Sequence, residues 1–526
     1  MKGNTRLGSC GIILVLSMTP IKLKERLEAG SQIPNNPENW QTISQTKQDK
    51  KETSSTAHLS PREIQDVQII IDQILKARKS SFIDQMRTDL RNAGTQVLYD
   101  IQVLTQNLLR TCDEAGGYKR LDELCDIYLV AHEYLISSKR YKMQMGSALE
   151  EFDLNPAMRM WLSKDKIESL LDSSQFLYLL SSAIRIISKI PKGSRSSSMK
   201  EMVRLFPSVI IKDHYKRWIF GEGVFQVLGW GCNDGRFSHL QFLQCKLNRE
   251  FGKRTAHCYC NAVTDTDMWI LAGVAELLAA HKHSPAEIEI SGEDYKRLLQ
   301  YMEVGIQLLA SRVTERKVKD RKGTLVIAAN FDLGAWDDHG DYAYAGYRGE
   351  SFPKEADRRP PANVGWDISH ARKMVHAFNS IYENKQITGQ SFPTKDLMKR
   401  MANEFAYVVF NGDFEFPLFT NFTDGTNGWY RALYAGREGF GYPPYGLSVA
   451  AITGGFGFWA EFNSEIAKID IGLWNMINSD AQKVSEHKRR NYGQGYDKFM
   501  LTPFPDFNTK DSLELLMFLP VLLKGH

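Results

Sequence analysis

The stretch "TDMWILAGVAELLAA", residues 266–280, decides the fold class. Its apolar side chains recur every three or four positions, the spacing of one helix face: Ile270, Val274, Leu277 and Leu278. Three further stretches, within residues 295–309, 371–382 and 397–408, repeat this spacing. Alternation typical of strands is scarce, and "GTLVIAANFD" at residues 323–332 is its best example. The pattern therefore predicts a mainly α-helical protein.

Two long loops follow the predicted helices that end near Ala310 and Phe410. They are "FDLGAWDDHGDYAYAGYRGESFP", residues 331–353, and "NFTDGTNGWYRALYAGREGFGYPPYG", residues 421–446. Long ordered loops in a compact domain are usually functional. Helical hairpins joined alternately by short turns and long loops favour an (α/α) toroid, a barrel whose inner helices end around one central cleft.

The amino-terminal region divides into two segments before the predicted domain. Within residues 1–30, Lys2 and Arg6 precede a short apolar run, the pattern of a weak secretory signal. Residues 31–59 are polar and predict a disordered tether. Ser60 begins "SPRE", a capping box, so residues 60–526 are expected to form a single α/α-toroid catalytic domain. The protein is expected to be secreted or periplasmic.

Composition excludes several functions. With 66 basic and 62 acidic residues, the net charge of +4 is too small for a nucleic-acid-binding protein. No apolar run reaches the length of a membrane span. The only cysteine cluster, "HCYC" at residues 257–260, has no second ligand pair, so buried free thiols are favoured over a metal site. No metal and no cofactor are therefore expected.

The first loop offers candidates for proton transfer. An arginine beside a tyrosine lowers the tyrosine pKa and favours a phenolate base, which makes Tyr344, Tyr347 and Arg348 candidate catalytic residues. The alternative is that the tyrosines pack at the base of the loop and the arginine is solvated. His339 is a further catalytic candidate, or simply an exposed histidine.

A third candidate site opens the helix that follows "GWDIS". Asp367 or Ser369 can cap that helix, which is a sufficient structural reason for the motif. His370 then lies in the first turn, where the helix dipole keeps an imidazole neutral and able to act as a base or donor. Arg372 is the neighbouring candidate for binding substrate.

The second loop and a more distant polar set supply candidate substrate-binding residues. In the second loop they are Asn421, Asn427, Trp429, Tyr430 and Arg431. The alternative is a rigid loop in which asparagine and glycine only provide positive φ angles. The distant set is Asn233, His239 and His257.

Four motifs together resemble a known enzyme family: "TDMWILAGVAELLAA", "AWDDHGDYAYAGYRG", "GWDISHARKMVHAF" and "FTNFTDGTNGWYRALYAGREGFGY". Over residues 200–450 the chain is similar to α/α-toroid enzymes that degrade uronic-acid polysaccharides, most like the alginate and glucuronan lyases of polysaccharide lyase family 38. The resemblance implies β-elimination on an acidic polysaccharide. One group neutralises the uronate carboxylate, a base takes the C5 proton and an acid protonates the leaving O4 oxygen.

Two other functions fit the same residues. An inverting glycoside hydrolase of the toroid class needs two carboxyl groups across the cleft, and the available ones are Asp337, Asp338, Asp341, Asp367 and Asp424. A non-catalytic glycan-binding protein needs only the aromatic and polar residues. The three functions differ in product: an unsaturated uronate, a new saturated reducing end, or none.

Overall fold

The computed structural model describes residues 61–115, 120–145, 148–221, 237–251, 258–432, 440–477, 479, 481–492, 496–497 and 500–501. This part of the chain is mainly helical, as the sequence predicts. Its α-helices are α1 (Pro61–Arg91), α2 (Gln96–Glu114), α3 (Leu121–Leu129), α4 (Leu170–Ser188), α5 (Ser197–Ser208), α6 (Lys216–Phe220), α7 (His239–Leu247), α8 (Asp265–His283), α9 (Gly292–Ser311), α10 (Ile368–Thr388), α11 (Lys395–Glu404), α12 (Val449–Thr453), α13 (Glu465–Ile477) and α14 (Gln482–Asn491). Two π-helical segments, Val209–Tyr215 and Phe405–Val409, extend α5 and α11.

Three small sheets accompany the helices. The strands are β1 (Ile136–Met145), β2 (Ala148–Met160), β3 (Ile167–Ser169), β4 (Val313–Lys319), β5 (Leu325–Phe331), β6 (Phe440–Gly441), β7 (Tyr496–Asp497) and β8 (Met500–Leu501). They form sheets in the orders β2-β1-β3, β4-β5 and β6-β7-β8, and none of these described sheets closes into a barrel. Strand β5 is the segment that the sequence predicts as a strand. The β1–β2 hairpin has no counterpart in the sequence prediction.

The four predicted helical stripes are confirmed in α8, α9, α10 and α11. Helix α8 packs against α4 on one side and α10 on the other. Its stripe residues Ile270, Val274, Leu277 and Leu278 have no exposed surface. Complete burial of an aliphatic side chain of this size contributes about 1.5–3 kcal/mol, so the α8 stripe is a main source of core stability.

Helices α2, α4, α8 and α10 pack side by side in that order. All four begin at the same cavity. Three of them have a side-chain cap at that end, supplied by Ser169, Thr264 and Asp367. Helix amino termini carry a partial positive charge. The packing therefore directs the positive ends of four helix dipoles towards one place.

Some predictions concern residues outside the described ranges. These include the signal at residues 1–30, the tether at residues 31–59 and the cap at Ser60. Helix α1 begins at Pro61, the position that the capping motif predicts. Within the described part of the chain, no helix combines the length and the apolar character required to cross a membrane.

Candidate functional site

A cavity of about 760 Å³ lies where the four helices begin. Its volume falls within the range of roughly 300–1,000 Å³ that is typical of ligand pockets. Both long loops contribute to its lining. The charged and titratable residues that line it are Asp172, His239, Lys246, Tyr259, Asp265, Asp267, His339, Asp341, Tyr342, Asp367, His370, Tyr430 and Arg431.

His370 is fixed by Asp367 at the start of α10. The Asp367 carboxylate caps the helix through the backbone N–H of His370, and both its oxygens lie 2.9 Å from His370 Nδ1. Burial alone would raise the pKa of Asp367, but His370 and the Ser369 hydroxyl lower it overall. An ionised carboxylate only accepts hydrogen bonds. His370 therefore carries a proton on Nδ1.

His339 has the opposite arrangement in the first loop. Its Nδ1 accepts a hydrogen bond of 3.2 Å from the backbone N–H of Asp341. Burial lowers the pKa of His339 and keeps the ring neutral. A neutral imidazole has one protonated nitrogen, so the His339 proton lies on Nε2. The ring makes edge contacts with Tyr259 and Trp336, at centroid distances of 4.8 Å and 5.3 Å.

Arg431 is held in a strained conformation at the cavity. Its φ angle is +54°, in the left-handed region that residues other than glycine rarely adopt. The Arg431 backbone N–H donates to the carbonyl of Asp341 at 2.9 Å, and Arg431 Nε donates to the Asp341 carboxylate at 2.8 Å. Strain of this kind clusters at functional sites. The strained backbone and the paired side chain together fix the position of the Arg431 guanidinium.

Tyr430 lies between Arg431 and His370. Its hydroxyl oxygen is 3.4 Å from His370 Nδ1, and the guanidinium carbon of Arg431 is 5.2 Å from the centroid of its ring. Burial raises the pKa of Tyr430 well above its usual value, and the negative charge of Asp367 adds to this effect. Tyr430 is therefore protonated at neutral pH and able to donate a proton.

His239 lines the cavity, but its ring is engaged on both sides. Its Nδ1 is 2.7 Å from the Tyr301 hydroxyl and its Nε2 is 2.9 Å from Asp267. Lys246 binds the other oxygen of Asp267. Burial lowers the pKa of Lys246, although Asp267 opposes this shift. This buried group fastens α7 to the start of α8, a structural role that accounts for His239.

Tyr344, Tyr347 and Arg348 do not line the cavity. Tyr344 is 3% exposed and donates a hydrogen bond of 3.0 Å to Glu355. Burial, and then Glu355, raises its pKa to about 12. The predicted lowering of the Tyr344 pKa is therefore wrong. Tyr347 shares a hydrogen bond of 3.1 Å with Ser351, and Arg348 is exposed.

Asn421 and Asn427 support the backbone of the second loop. Asn421 has no exposed surface, and its Nδ2 donates to the carbonyls of Gly428 and Pro443 at 2.8 Å and 2.7 Å. Asn427 Oδ1 accepts from the backbone N–H of Tyr445 at 2.8 Å. Neither residue lines the cavity. Their role is structural, but it differs from the structural alternative in the sequence analysis, because neither asparagine has a positive φ angle and both act through side-chain hydrogen bonds.

Trp429 and Gly428 join the second loop to the first. Trp429 lies outside the cavity lining, and its backbone N–H donates to the carbonyls of Tyr344 and Tyr347, each at 3.2 Å. A Cβ atom at position 428 would lie 1.9 Å from the carbonyl oxygen of Ala345. Only glycine permits such a close approach of two backbones. The two loops therefore form one continuous structure beside the cavity.

Arg372 lies outside the cavity lining and contacts Tyr99, a residue that the sequence did not single out. Arg372 Nη2 donates to the Tyr99 hydroxyl at 3.2 Å, and Lys373 Nζ is 5.3 Å from the Tyr99 ring centroid. Burial would raise the pKa of Tyr99, but Lys373 and Arg372 lower it overall. The tyrosine with nearby cations that was predicted in the first loop is thus found on α2. Lys373 also binds Asp265 of the cavity, at 2.5 Å.

The carboxyl groups proposed for a hydrolase are all engaged. Asp337 accepts from the backbone N–H groups of Asn363 and Val364 at 2.9 Å and 3.0 Å. The cavity is not lined by Asp337, Asp338 or Asp424. The two that do line it, Asp341 and Asp367, are paired with Arg431 and His370.

Two sequence candidates, Asn233 and His257, lie outside the described residues. In the "HCYC" cluster, Cys260 lines the cavity and is disulfide-bonded, so the prediction of a free thiol is wrong at this position. Among the described residues, the buried cysteines that form no disulfide are Cys112, Cys125 and Cys245.

No family model, no curated protein and no solved structure matches this chain. The residues that the structure brings together there are an oriented histidine, a second histidine of opposite tautomer, a protonated tyrosine and a fixed arginine: His370, His339, Tyr430 and Arg431.

Proposed function

We propose that this protein is a polysaccharide lyase that cleaves a uronate-containing polysaccharide, of alginate or glucuronan type, by β-elimination. One observation carries the proposal. His370 with its carboxylate partner, protonated Tyr430 and Arg431 lie side by side in one cavity. Elimination next to a carboxylate needs a cation, a base and an acid, and this group supplies all three.

In the proposed reaction Arg431 neutralises the uronate carboxylate. This stabilises the enolate that forms when the C5 proton leaves. A cavity histidine takes the proton. Tyr430 gives its proton to the leaving O4 oxygen, because burial keeps the phenol protonated until then. Every group in this scheme is a side chain.

We further propose that residues 60–526 form an (α/α) toroid. Helices α2, α4, α8 and α10 are neighbours, and each begins at the cavity, so they run parallel to one another. Parallel inner helices are what a toroid of helical hairpins requires, since each inner helix is followed by an outer one that returns. The convergent helix amino termini also favour an anionic substrate.

The disulfide at Cys260 supports the proposed secreted or periplasmic location. Disulfides persist in oxidising compartments and are rare in the cytosol. The apolar run within residues 1–30 supports the same proposal. A reporter fused behind residues 1–59 and followed for export tests it, and a reporter that stays in the cytosol would contradict it.

One observation favours an inverting glycoside hydrolase as the second candidate. Asp172 lines the cavity and forms no ion pair within the described part of the chain. Burial raises its pKa, although hydrogen bonds from Ser169 and Thr95 oppose this. A protonated carboxyl is the acid that such an enzyme needs. The base is harder to assign, since Asp341 and Asp367 are already paired.

The product of the reaction distinguishes the candidates. Purified protein is incubated with alginate, glucuronan, pectate and glycosaminoglycans, and ultraviolet absorbance and reducing ends are followed together. Elimination raises both signals, because each break creates an unsaturated uronate. Reducing ends without absorbance indicate a hydrolase. Binding without either product indicates a glycan-binding protein and would contradict the proposed enzyme.

A further inference from the structure

We infer that the two cavity histidines have different tasks: His370 accepts the C5 proton on Nε2, and His339 donates a hydrogen bond from Nε2 to the substrate carboxylate while keeping its proton. This inference rests on the proposed lyase function and assigns roles within it. Both side chains line the cavity, and they are 30% and 23% exposed respectively.

The role of His370 follows from its partner. Asp367 accepts from Nδ1 through both carboxylate oxygens at 2.9 Å. Tyr342 also donates to Asp367, at 2.9 Å, so the carboxylate is itself held in place. A carboxylate behind one imidazole nitrogen holds the ring in one tautomer and orientation and stabilises the imidazolium that forms when the other nitrogen takes a proton. Nε2 of His370 is the nitrogen available for this role.

The role of His339 follows from a backbone hydrogen bond. Its Nδ1 is occupied by the N–H of Asp341, so this nitrogen is an acceptor and Nε2 is the donor. A neutral imidazole that lost its remaining proton would become a very strong base, and proton transfer from it is therefore unfavourable. Donation without transfer is the role that remains, as neutral histidines elsewhere polarise substrate oxygens.

Asp341 links His339 to the carboxylate-binding cation. Its N–H holds His339, and its carbonyl and carboxylate hold Arg431. Arg431 also contributes to the lowered pKa of His339, which reflects their proximity. One residue therefore orients a donor and a cation together. A carboxylate has two oxygens and matches such a pair of donors.

The proposed step is balanced with these residues and water. The C5 proton moves to Nε2 of His370, and the C5–H electron pair enters the carboxylate as an enolate held by His339 and Arg431. The enolate then forms the C4=C5 bond as the C4–O4 bond breaks, and O4 takes the proton of Tyr430. His370 then releases the C5 proton from Nε2 to water, and the Tyr430 phenolate takes a proton from water, so both residues return to their starting states.

The tautomers are measured directly. The full chain is labelled with ¹⁵N-histidine, and long-range nitrogen–proton correlations are recorded. The variants His339→Gln and His370→Gln identify the two signals. We expect the proton on Nε2 in His339 and on Nδ1 in His370. The same tautomer in both rings would overturn the inference, and this result does not depend on any activity.

Kinetics tests the roles themselves. His370→Ala is expected to lose about 10²–10⁴ in turnover and to regain part of it with added imidazole, as for a missing base. His339→Ala is expected to lose about 10²–10³ without imidazole rescue, while His339→Gln, which keeps an N–H donor, recovers most of the loss. Thermal melting confirms that each variant is folded.

Two results would overturn the assignment of roles. One is that added imidazole restores activity to His339→Ala, and the other is that His339→Gln is as inactive as His339→Ala. The proposed function stands in that case, because the wild-type protein still makes an unsaturated product. A wild-type protein without any unsaturated product on any polyuronate would overturn the proposed function, and the inference with it.

Discussion

Asp341 holds Arg431 at two points, since its backbone carbonyl accepts from the Arg431 backbone N–H at 2.9 Å and its carboxylate accepts from Nε at 2.8 Å. The two residues are 90 positions apart and belong to different loops. The pair fixes a backbone conformation and a charge together. Neither loop can therefore change its path without moving the cation of the cavity.

Replacing Arg431 by alanine is expected to lower kcat/KM ten- to a hundredfold, because a charge-assisted hydrogen bond worth about 1.5–3 kcal/mol is lost. Product formation and thermal melting are measured side by side. Arg204→Ala is the matched control, since Arg204 pairs with Glu201 at the surface. An Arg431→Ala variant that melts early but whose folded fraction is fully active would show that Arg431 only stabilises the loop.

Tyr430→Phe is expected to lower kcat by about 10²–10⁴, because phenylalanine keeps the packing and removes the proton donor. Tyr344→Phe is the control. It removes a hydrogen bond to Glu355 outside the cavity, so turnover should stay within about twofold and stability should fall by about 0.5–1.5 kcal/mol. A larger loss of turnover in Tyr344→Phe than in Tyr430→Phe would instead support Tyr344 as the catalytic tyrosine, as the sequence predicts.

Asp367→Asn is expected to destabilise the protein in a pH-dependent way. The folded-state pKa of Asp367 is lowered below its unfolded value of about 3.9, so its stabilisation is present above about pH 4 and is lost as the pH falls. Urea unfolding should show a difference from wild type of about 1.5–3 kcal/mol at about pH 7. The difference should shrink at about pH 3. A difference that does not change with pH would contradict the ionised state of Asp367.

Asp470→Asn is expected to stabilise the protein at neutral pH. Burial raises the pKa of Asp470 well above its usual value, and its Oδ2 has no hydrogen-bond partner among the residues that the structure describes. A raised pKa costs nothing below the unfolded pKa of about 3.9 and destabilises the fold increasingly as the pH rises, by about 1.4 kcal/mol per pH unit until the folded pKa is reached. Melting curves of both proteins should diverge from about pH 4 upwards. Parallel curves would show that the carboxyl is hydrated or paired.

Deletion of residues 1–59 is expected to leave a folded and active protein. Residues 31–59 have few apolar side chains that could dock, whereas α1 buries Ile71, Ile74 and Leu75 completely. Cooperative thermal melting and product formation are compared with those of the full chain. Loss of the cooperative transition would show that the deleted segment belongs to the fold.

Much of the fold was predictable because the spacing of apolar residues within one helix is set by that helix alone. A helix that packs on one side repeats its apolar residues every three or four positions, as α8 and α9 do. The β1–β2 hairpin was missed because its pairing is decided by contacts between the two strands and not by a local pattern within either one. The exposed side chains Ile136 and Leu149 also weaken its alternation.

Residues of the site were predictable only where a side chain suited to catalysis or binding lies in or next to one of the long loops. His339, His370, Tyr430 and Arg431 were found because they lie in or beside the long loops. Tyr99 and Arg372 are 273 positions apart, and no local pattern predicts their contact. Conversely, the sequence could not show that Asn421 has a structural role. An asparagine that hydrogen-bonds to the protein backbone and an asparagine that hydrogen-bonds to a sugar look the same in a sequence.

The close crossing at Gly428 and Ala345 has a consequence for how such a protein diversifies. A side chain at position 428 would need the first loop to retreat, so changes in the two loops must arise together. In proteins that descend from this chain, substitutions in the two loops should therefore occur together, while the helices stay unchanged. Laboratory libraries that vary both loops in pairs should therefore yield more folded variants than libraries that vary either loop alone.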